Sequence, residues 1–310
     1  MSRPVKRVAV IGTGVIGASW TSLFLARGLE VVATDIASTA EESLRRFVKS
    51  AWPVLTKLGL ASAASQSNLQ FTTDLPAAVK SADLIQENGP ERIDFKKKLF
   101  AQLDSLLAPN IIIASSSSGL TMSEIQSECP SHPERCVIAH PFNPPHLIPL
   151  VEIVGGAKTS EATIQAASKF YTALGKRTIR LHKEVMGHVA NRLQAALWRE
   201  VVYLIASGVV SVADADAAVA WGPGLRWGIM GPTQLFHLAG GQGGIEHFFE
   251  QFTGPMTAWW KDLGSPELNR EVQQKVISGV HAEVGSQSIE ELAAFRDEIL
   301  LGLLALRANV

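Results

Sequence analysis

Six short runs in the first part of the chain are apolar enough to be buried on both faces: "RVAVIG" (7–12), "EVVATD" (30–35), "LQFTTD" (69–74), "ADLIQE" (82–87), "NIIIASS" (110–116) and "RCVIAH" (135–140). A strand that meets water on one face alternates apolar and polar residues. Runs without that alternation are the habit of parallel strands covered by helices on both faces. Between them lie amphipathic segments such as "EESLRRFVKSAWPVLTKLG" and "IDFKKKLFAQLDSLL", long enough to be crossover helices. "VEIVGG" (151–156) and "RTIRL" (177–181) extend the sheet around a helix "ATIQAASKFYTALG". The pattern predicts a doubly wound α/β sheet.

After Leu181 the strand signal stops. "GHVANRLQAALWREVVYLIASG" (187–208) predicts one long amphipathic helix ended by Gly208, and Ser211-x-x-Asp214 predicts a capped helix after it. The rest reads as helical, rich in Trp and Phe and broken by Gly and Pro. The expectation is a dinucleotide-binding domain over residues 1–185 and an all-α domain over 186–310. The glycines at 240–244 follow no strand, so a turn or hinge is expected there, not a phosphate loop.

At 310 residues the chain exceeds the usual size of a single core, which agrees with two domains. A net charge of −1 gives no electrostatic footprint for nucleic acid or an anionic membrane surface, so neither partner is expected. No apolar run approaches the roughly 20 residues that span a bilayer, and no signal-peptide pattern precedes "RVAVIG". A soluble, cytoplasmic protein is expected. Cys129 and Cys136 lack metal or redox-motif spacing and are expected to be free thiols; no metal is expected.

Gly12-x-Gly14-x-x-Gly17 sits between the first strand and the helix "ASWTSLFLARG", and Asp35 closes the second strand about 20 residues on. In that context the three glycines have separate uses: a tight turn, close backbone approach to a pyrophosphate, and close helix packing. The anion then rests on a helix N-terminus. Asp35 accepts from an unmodified ribose and repels a 2′-phosphate, and no arginine stands beside it in "DIAST". NAD is expected over NADP.

With a dinucleotide bound, ligands lie beyond the carboxyl ends of the strands. Three segments leave there: "QENGPERIDFKKK", "SSSSGL" and "HPFNPP". The last belongs to "RCVIAHPFNPPHLIPLVEIVGG", which carries His140 and Glu152 at either end of a proline-rich loop. By itself this stretch fits a strand-capping histidine, an Asn-Pro turn and a solvated edge glutamate as well as it fits a catalytic pair.

The set "GTGVIG", "QENGPE", "SSSSGL", "HPFNP", "LVEIV" and "HVANR", in this order, resembles the L-3-hydroxyacyl-CoA dehydrogenase superfamily over nearly the whole chain. The resemblance implies a Rossmann domain followed by an all-helical domain through which two subunits pair as a homodimer. It implies His140 as the acid/base and Glu152 as its orienting carboxylate. It further implies Ser118 and Asn191 as hydrogen-bond partners of the reacting oxygen, Asn143 as a supporting residue, and Glu91 and Lys96 on the cofactor side. The implied reaction removes the hydroxyl proton and a hydride from a 3-hydroxy compound.

Members acting on CoA thioesters carry a lysine-rich segment after the second strand, whereas the matching stretch here, "FVKSAWPVLTKLGLASAASQSN", has Lys49 and Lys57. The stretch "AWGPGLRWGIMGPTQLFHLAGG" (220–241), with "QENGPE" and "HPFNPPHLIPLVE", is similar to L-carnitine 3-dehydrogenases and more loosely to L-gulonate dehydrogenase and lambda-crystallin. A small L-3-hydroxy acid is therefore the expected substrate. Arg226 is the candidate for its carboxylate, and Trp227, or Trp198, Trp221 or Phe142, for a quaternary ammonium. The same aromatics also fit core or subunit packing. A short-chain CoA ester and a non-catalytic NAD-binding role are the alternatives.

Overall fold

The computed structural model describes residues 4–307. The chain divides into two compact units, meeting between Arg192 and Leu193. The first holds one eight-stranded sheet with strand order β3-β2-β1-β4-β5-β6-β7-β8. Its strands are β1 (Arg7–Ile11), β2 (Glu30–Thr34), β3 (Leu69–Thr72), β4 (Leu84–Glu87), β5 (Ile112–Ser115), β6 (Cys136–Pro141), β7 (Leu150–Gly155) and β8 (Arg177–Leu181). Pairing is parallel from β3 through β6, antiparallel between β6 and β7, and parallel again between β7 and β8.

Helices cover both faces, and residues along each strand alternate between them. Val8 and Val10 of β1 join a core with Trp20, Phe24, Leu44, Val48 and Tyr171, whereas Ala9 and Ile11 join a second with Leu99, Phe100, Leu103 and Ile125. The first core lies under α1 (Val15–Ala26), α2 (Ala40–Lys57) and α6 (Glu161–Ala173). The second lies under α3 (Leu75–Val79), α4 (Ile93–Leu106) and α5 (Met122–Ile125). Strand order reverses between β1 and β4, which opens a crevice at their carboxyl ends. Cys129 and Cys136 are buried free thiols with Sγ atoms 3.9 Å apart.

Helix α7 (Ala190–Ala206) starts at the end of the first unit and runs into the second. It begins three residues later than its amphipathic pattern suggests, because Gly187 (φ +74°) and His188 (φ +50°) are left-handed and cannot belong to an α-helix. The second unit continues with α8 (Val212–Trp221), α9 (Pro223–Trp227), α10 (Pro232–Ala239), α11 (Gly244–Asp262), α12 (Arg270–Val284) and α13 (Ile289–Arg307). Ser211 caps α8 by accepting from the Asp214 N–H at 3.1 Å. The glycine cluster forms a single 3-10 turn, Gly241–Gly243, leading into α11. Among the described residues no helix is long and apolar enough to cross a membrane.

Candidate active site

The crevice begins at the glycine turn. Gly12 has φ +81°, and a Cβ there would lie 2.7 Å from the Asn88 carbonyl oxygen; at Gly17 it would fall 1.9 Å from that of Gly12. Gly14 faces open space, with nothing within 4 Å of where its Cβ would be. No side chain caps α1, so its first N–H groups stay available to an anion. Asp35 at the end of β2 is held by the Thr13 N–H (2.7 Å) on one oxygen and by those of Ile36 (2.7 Å) and Ala37 (3.2 Å) on the other. Burial alone would raise its pKa. These donors outweigh burial and hold the carboxyl below the usual carboxylate range. A bare anion cradle followed by a fixed negative charge fits a dinucleotide with an unmodified ribose.

Behind the turn, the Ser116 hydroxyl accepts from Trp20 Nε1 (3.1 Å) and Gln86 Nε2 (2.9 Å) and donates to Asn88 Oδ1 (2.7 Å). This half-buried network fixes Asn88, the residue against which Gly12 packs. At the end of β4, Glu87 is fully buried and carries the Lys96 ammonium at 2.7 and 2.9 Å, with Ser115 Oγ at 2.5 Å. Lys96 is 1% exposed, so its charge serves chiefly as the counter-ion of Glu87. Glu91 stands 3.8 Å from the same ammonium. One Glu91 oxygen gathers the serine loop, accepting from Ser117 Oγ (2.7 Å), Ser118 N (2.9 Å) and Gly119 N (2.7 Å). Against the upward push of burial, the Ser117 hydroxyl, the Gly119 N–H and Lys96 hold its pKa below the usual range.

His140 and Glu152 are direct cross-strand partners in the β6/β7 register. His140 Nδ1 lies 2.7 Å from Glu152 Oε2. The other carboxylate oxygen accepts from Val189 N (2.9 Å) and Ala190 N (3.0 Å) where α7 begins. Burial opposes ionisation of Glu152, but the His140 bond and the two N–H groups prevail, and its pKa lies below the ordinary value. An ionised carboxylate only accepts, so His140 carries a proton on Nδ1.

The proline-rich loop between the strands is fastened from below. The Lys176 ammonium donates to the carbonyls of Pro145 and, at 2.9 Å, Ile148, and it lies 5.5 Å from the Trp20 ring centroid. Burial and the Arg27 guanidinium push its pKa down to about 7. The Ser19 hydroxyl accepts from His146 N (2.8 Å) and is hydrogen-bonded to His146 Nδ1 (2.7 Å).

Asn191 reaches the serine loop with Nδ2 3.3 Å from the Ser118 carbonyl, and Ser118 itself is exposed. Asn143 is exposed within the proline loop. The first unit thus gathers the glycine loop, Asp35, Glu91, Ser118, His140, Glu152 and Asn191 along the carboxyl ends of its strands and the start of α7. Arg226 and Trp227 lie on α9 of the second unit, both exposed. The sequence reading missed His188, which is buried with its ring centroid 5.1 Å from that of His140. The only trace was a histidine between Gly187 and Val189. Among the described residues no group of three or more His, Cys, Asp or Glu could hold a metal ion.

Residues 7–185 match the model of the 3-hydroxyacyl-CoA dehydrogenase NAD binding domain, and residues 187–279 that of the 3-hydroxyacyl-CoA dehydrogenase C-terminal domain. The chain belongs to the 3-hydroxyacyl-CoA dehydrogenase family. It is an NAD-dependent oxidoreductase, in keeping with the uncapped helix and Asp35. It is 47% identical to an L-carnitine dehydrogenase of Streptomyces coelicolor over 97% of this chain and 94% of that one. It is 46% identical to an L-carnitine dehydrogenase of Bacillus cereus over 97% and 92%. Among solved structures it resembles a 5-formyl-3-hydroxy-2-methylpyridine 4-carboxylic acid 5-dehydrogenase, described as an NAD+ dependent dismutase. That match has a TM-score of 0.83 and 31% identity over 98% of each chain.

Proposed function

We propose that this enzyme oxidises the 3-hydroxyl of a small L-3-hydroxy acid to a ketone, with L-carnitine as substrate and 3-dehydrocarnitine as product. The observation that carries the chemistry is the His140–Glu152 pair, whose carboxylate is tied on one oxygen to Nδ1 and on the other to two backbone N–H groups. His140 Nε2 takes the hydroxyl proton as hydride leaves the same carbon. Bound NAD supplies the hydride acceptor. Glu152 holds the ring in one tautomer and offsets the imidazolium charge, and a base placed this way contributes about 10² to 10⁴ in rate. Ser118 and Asn191 hydrogen-bond the reacting oxygen, while Asn143 supports the loop. Glu91 orders the serine loop on the cofactor side, and Lys96 supports it through Glu87 and Glu91.

The carnitine assignment is supported by relatives of that name at 46–47% identity and by the lysine-poor stretch after β2. Arg226 and Trp227 are assigned to the substrate on chemistry alone, a guanidinium for a carboxylate and an indole face for a quaternary ammonium. The exposed aromatics of the second unit support a homodimer formed through it. Steady-state NAD reduction with L-carnitine, L-gulonate, 3-hydroxybutyrate and 3-hydroxybutyryl-CoA tests the substrate. L-Carnitine is expected to have the highest kcat/KM, falling about tenfold or more in Arg226→Ala. A preference for the CoA ester overturns the substrate assignment and leaves the reaction class standing.

A further inference from the structure

His188 occupies a costly position. It is a non-glycine residue at φ +50°, its side chain is 2% exposed, and its ring lies against that of His140 at 50° between planes. Its Nε2 is 3.0 Å from the Ser117 carbonyl oxygen, and its Nδ1 is buried with no hydrogen-bond partner. A carbonyl only accepts, so the proton of His188 is on Nε2 and Nδ1 carries a bare lone pair. Protonating Nδ1 would bury a second N–H without an acceptor, beside an imidazole that itself becomes charged in the reaction.

The chain around His188 reaches each part of the site. The next two residues donate their N–H groups to Glu152, and Asn191 donates to the Ser118 carbonyl. The His188 bond to Ser117 closes this set, tying the turn before α7 to the loop that carries Ser118. A left-handed histidine persists only where surrounding interactions over-determine it, and such strain gathers at functional sites.

We propose that His188 is a positioning residue of this active site: a neutral imidazole that locks the serine loop to the turn behind Glu152 through its Nε2–H and holds the His140 ring by packing against it. The inference rests on the dyad reading above. A phenyl ring at this place would keep the packing and lose the lock; a glutamine amide would keep a donor for the carbonyl.

The test compares wild type, His188→Phe, His188→Gln and His140→Ala, each with its NADH dissociation constant, its binding stoichiometry and its kcat per binding site. L-Carnitine is the substrate, replaced by the best member of the four-compound panel if that differs. For His188→Phe, NADH affinity stays within about twofold while kcat falls about tenfold or more, and His188→Gln recovers most of that loss. Retention of wild-type kcat in His188→Phe overturns the proposal, as does a His188→Gln enzyme as impaired as His188→Phe. So does a loss accounted for by fewer NADH-binding sites alone. If His188→Phe does not fold, His188→Gln decides alone: kcat within about threefold of wild type supports the lock, and a larger loss overturns it. His140→Ala separates the two readings, since turnover in that variant refutes the dyad whatever the His188 variants do.

Discussion

In the first unit the large aromatics Trp20, Phe24, Phe100 and Tyr171 are all fully buried, whereas in the second Trp221, Trp259, Trp260 and Phe295 are 59–80% exposed. The first unit also buries charge, with Lys96 on Glu87 and Arg135 on Asp104. The buried cluster identified within the second is small, Ile205, Val212 and Ala215. A sheet covered on both faces closes its own core and can then hold charged groups at fixed positions, as proton and hydride chemistry requires. A helical unit that leaves so many indole and phenyl rings in water carries apolar surface of the kind that association covers, and the proposed homodimer rests on it. The groups proposed for proton transfer thus all lie in the first unit, while the proposed pairing of two copies falls to the second.

The largest expected effect strikes the self-contained half. Lys96→Met leaves Glu87 buried without its counter-charge, and breaking a buried pair in this way costs about 3–5 kcal/mol. Chemical denaturation of the variant measures it; a loss below about 1 kcal/mol would mean that water reaches Glu87 and that the first unit is less closed than described. Next comes the second unit, through which two copies are proposed to pair. Trp260→Glu places a charge on the exposed face of α11 and is expected to weaken the dimer at least about tenfold while NADH binding holds. Light scattering across a dilution series reads the first quantity and fluorescence titration the second. A wild-type chain that is monomeric at all concentrations would break the comparison.

The smallest effect is one of pH, and it belongs to the first unit. The His188 pKa is lowered, chiefly by burial and also by His140, against the opposing pull of the Ser117 carbonyl, Glu152 and Glu91. Below about 6.5 the unfolded chain therefore binds a proton that the folded one refuses, so stability declines as the pH falls. Asp35, Glu91, Asp104 and Glu152 have lowered pKa values as well. Their contribution is complete above the ordinary carboxylate pKa of about 4 and is lost as the pH drops through their lowered values. Thermal melts from neutral pH downward should show a shallow decline followed by a steep one, with the shallow part reduced in His188→Phe. Melts unchanged between neutrality and about pH 5 would contradict the assignment of a buried neutral imidazole.

The inner strands were legible because strands covered on both faces are largely apolar, the partly exposed edge strands β3 and β8 because short β-type runs stand there between helical segments, and the glycine loop because its backbone demands particular residues. The cross-strand meeting of His140 and Glu152 followed from the proline-rich loop only once the family resemblance gave the pair a reason to meet. What stayed hidden were buried polar contacts between residues far apart in the chain. Ser117 is 71 positions from His188, and Lys176 fastens a loop 28 to 31 positions before it. Nothing in the periodicity around Lys176 or His188 separates a buried, bonded side chain from a solvated one. The late start of α7 was hidden for a related reason: a histidine in a left-handed conformation is set by its partners, not by its neighbours in sequence.

The most direct test of the account is single-turnover hydride transfer, followed as NADH absorbance, in wild type and Glu152→Gln under saturating NAD and substrate. The dyad predicts unchanged NADH affinity and a transfer rate lower by about 10² or more in the variant, because the His140 imidazolium loses its compensating charge. A Glu152→Gln enzyme that transfers hydride at the wild-type rate would contradict the claim that this buried pair performs the proton step.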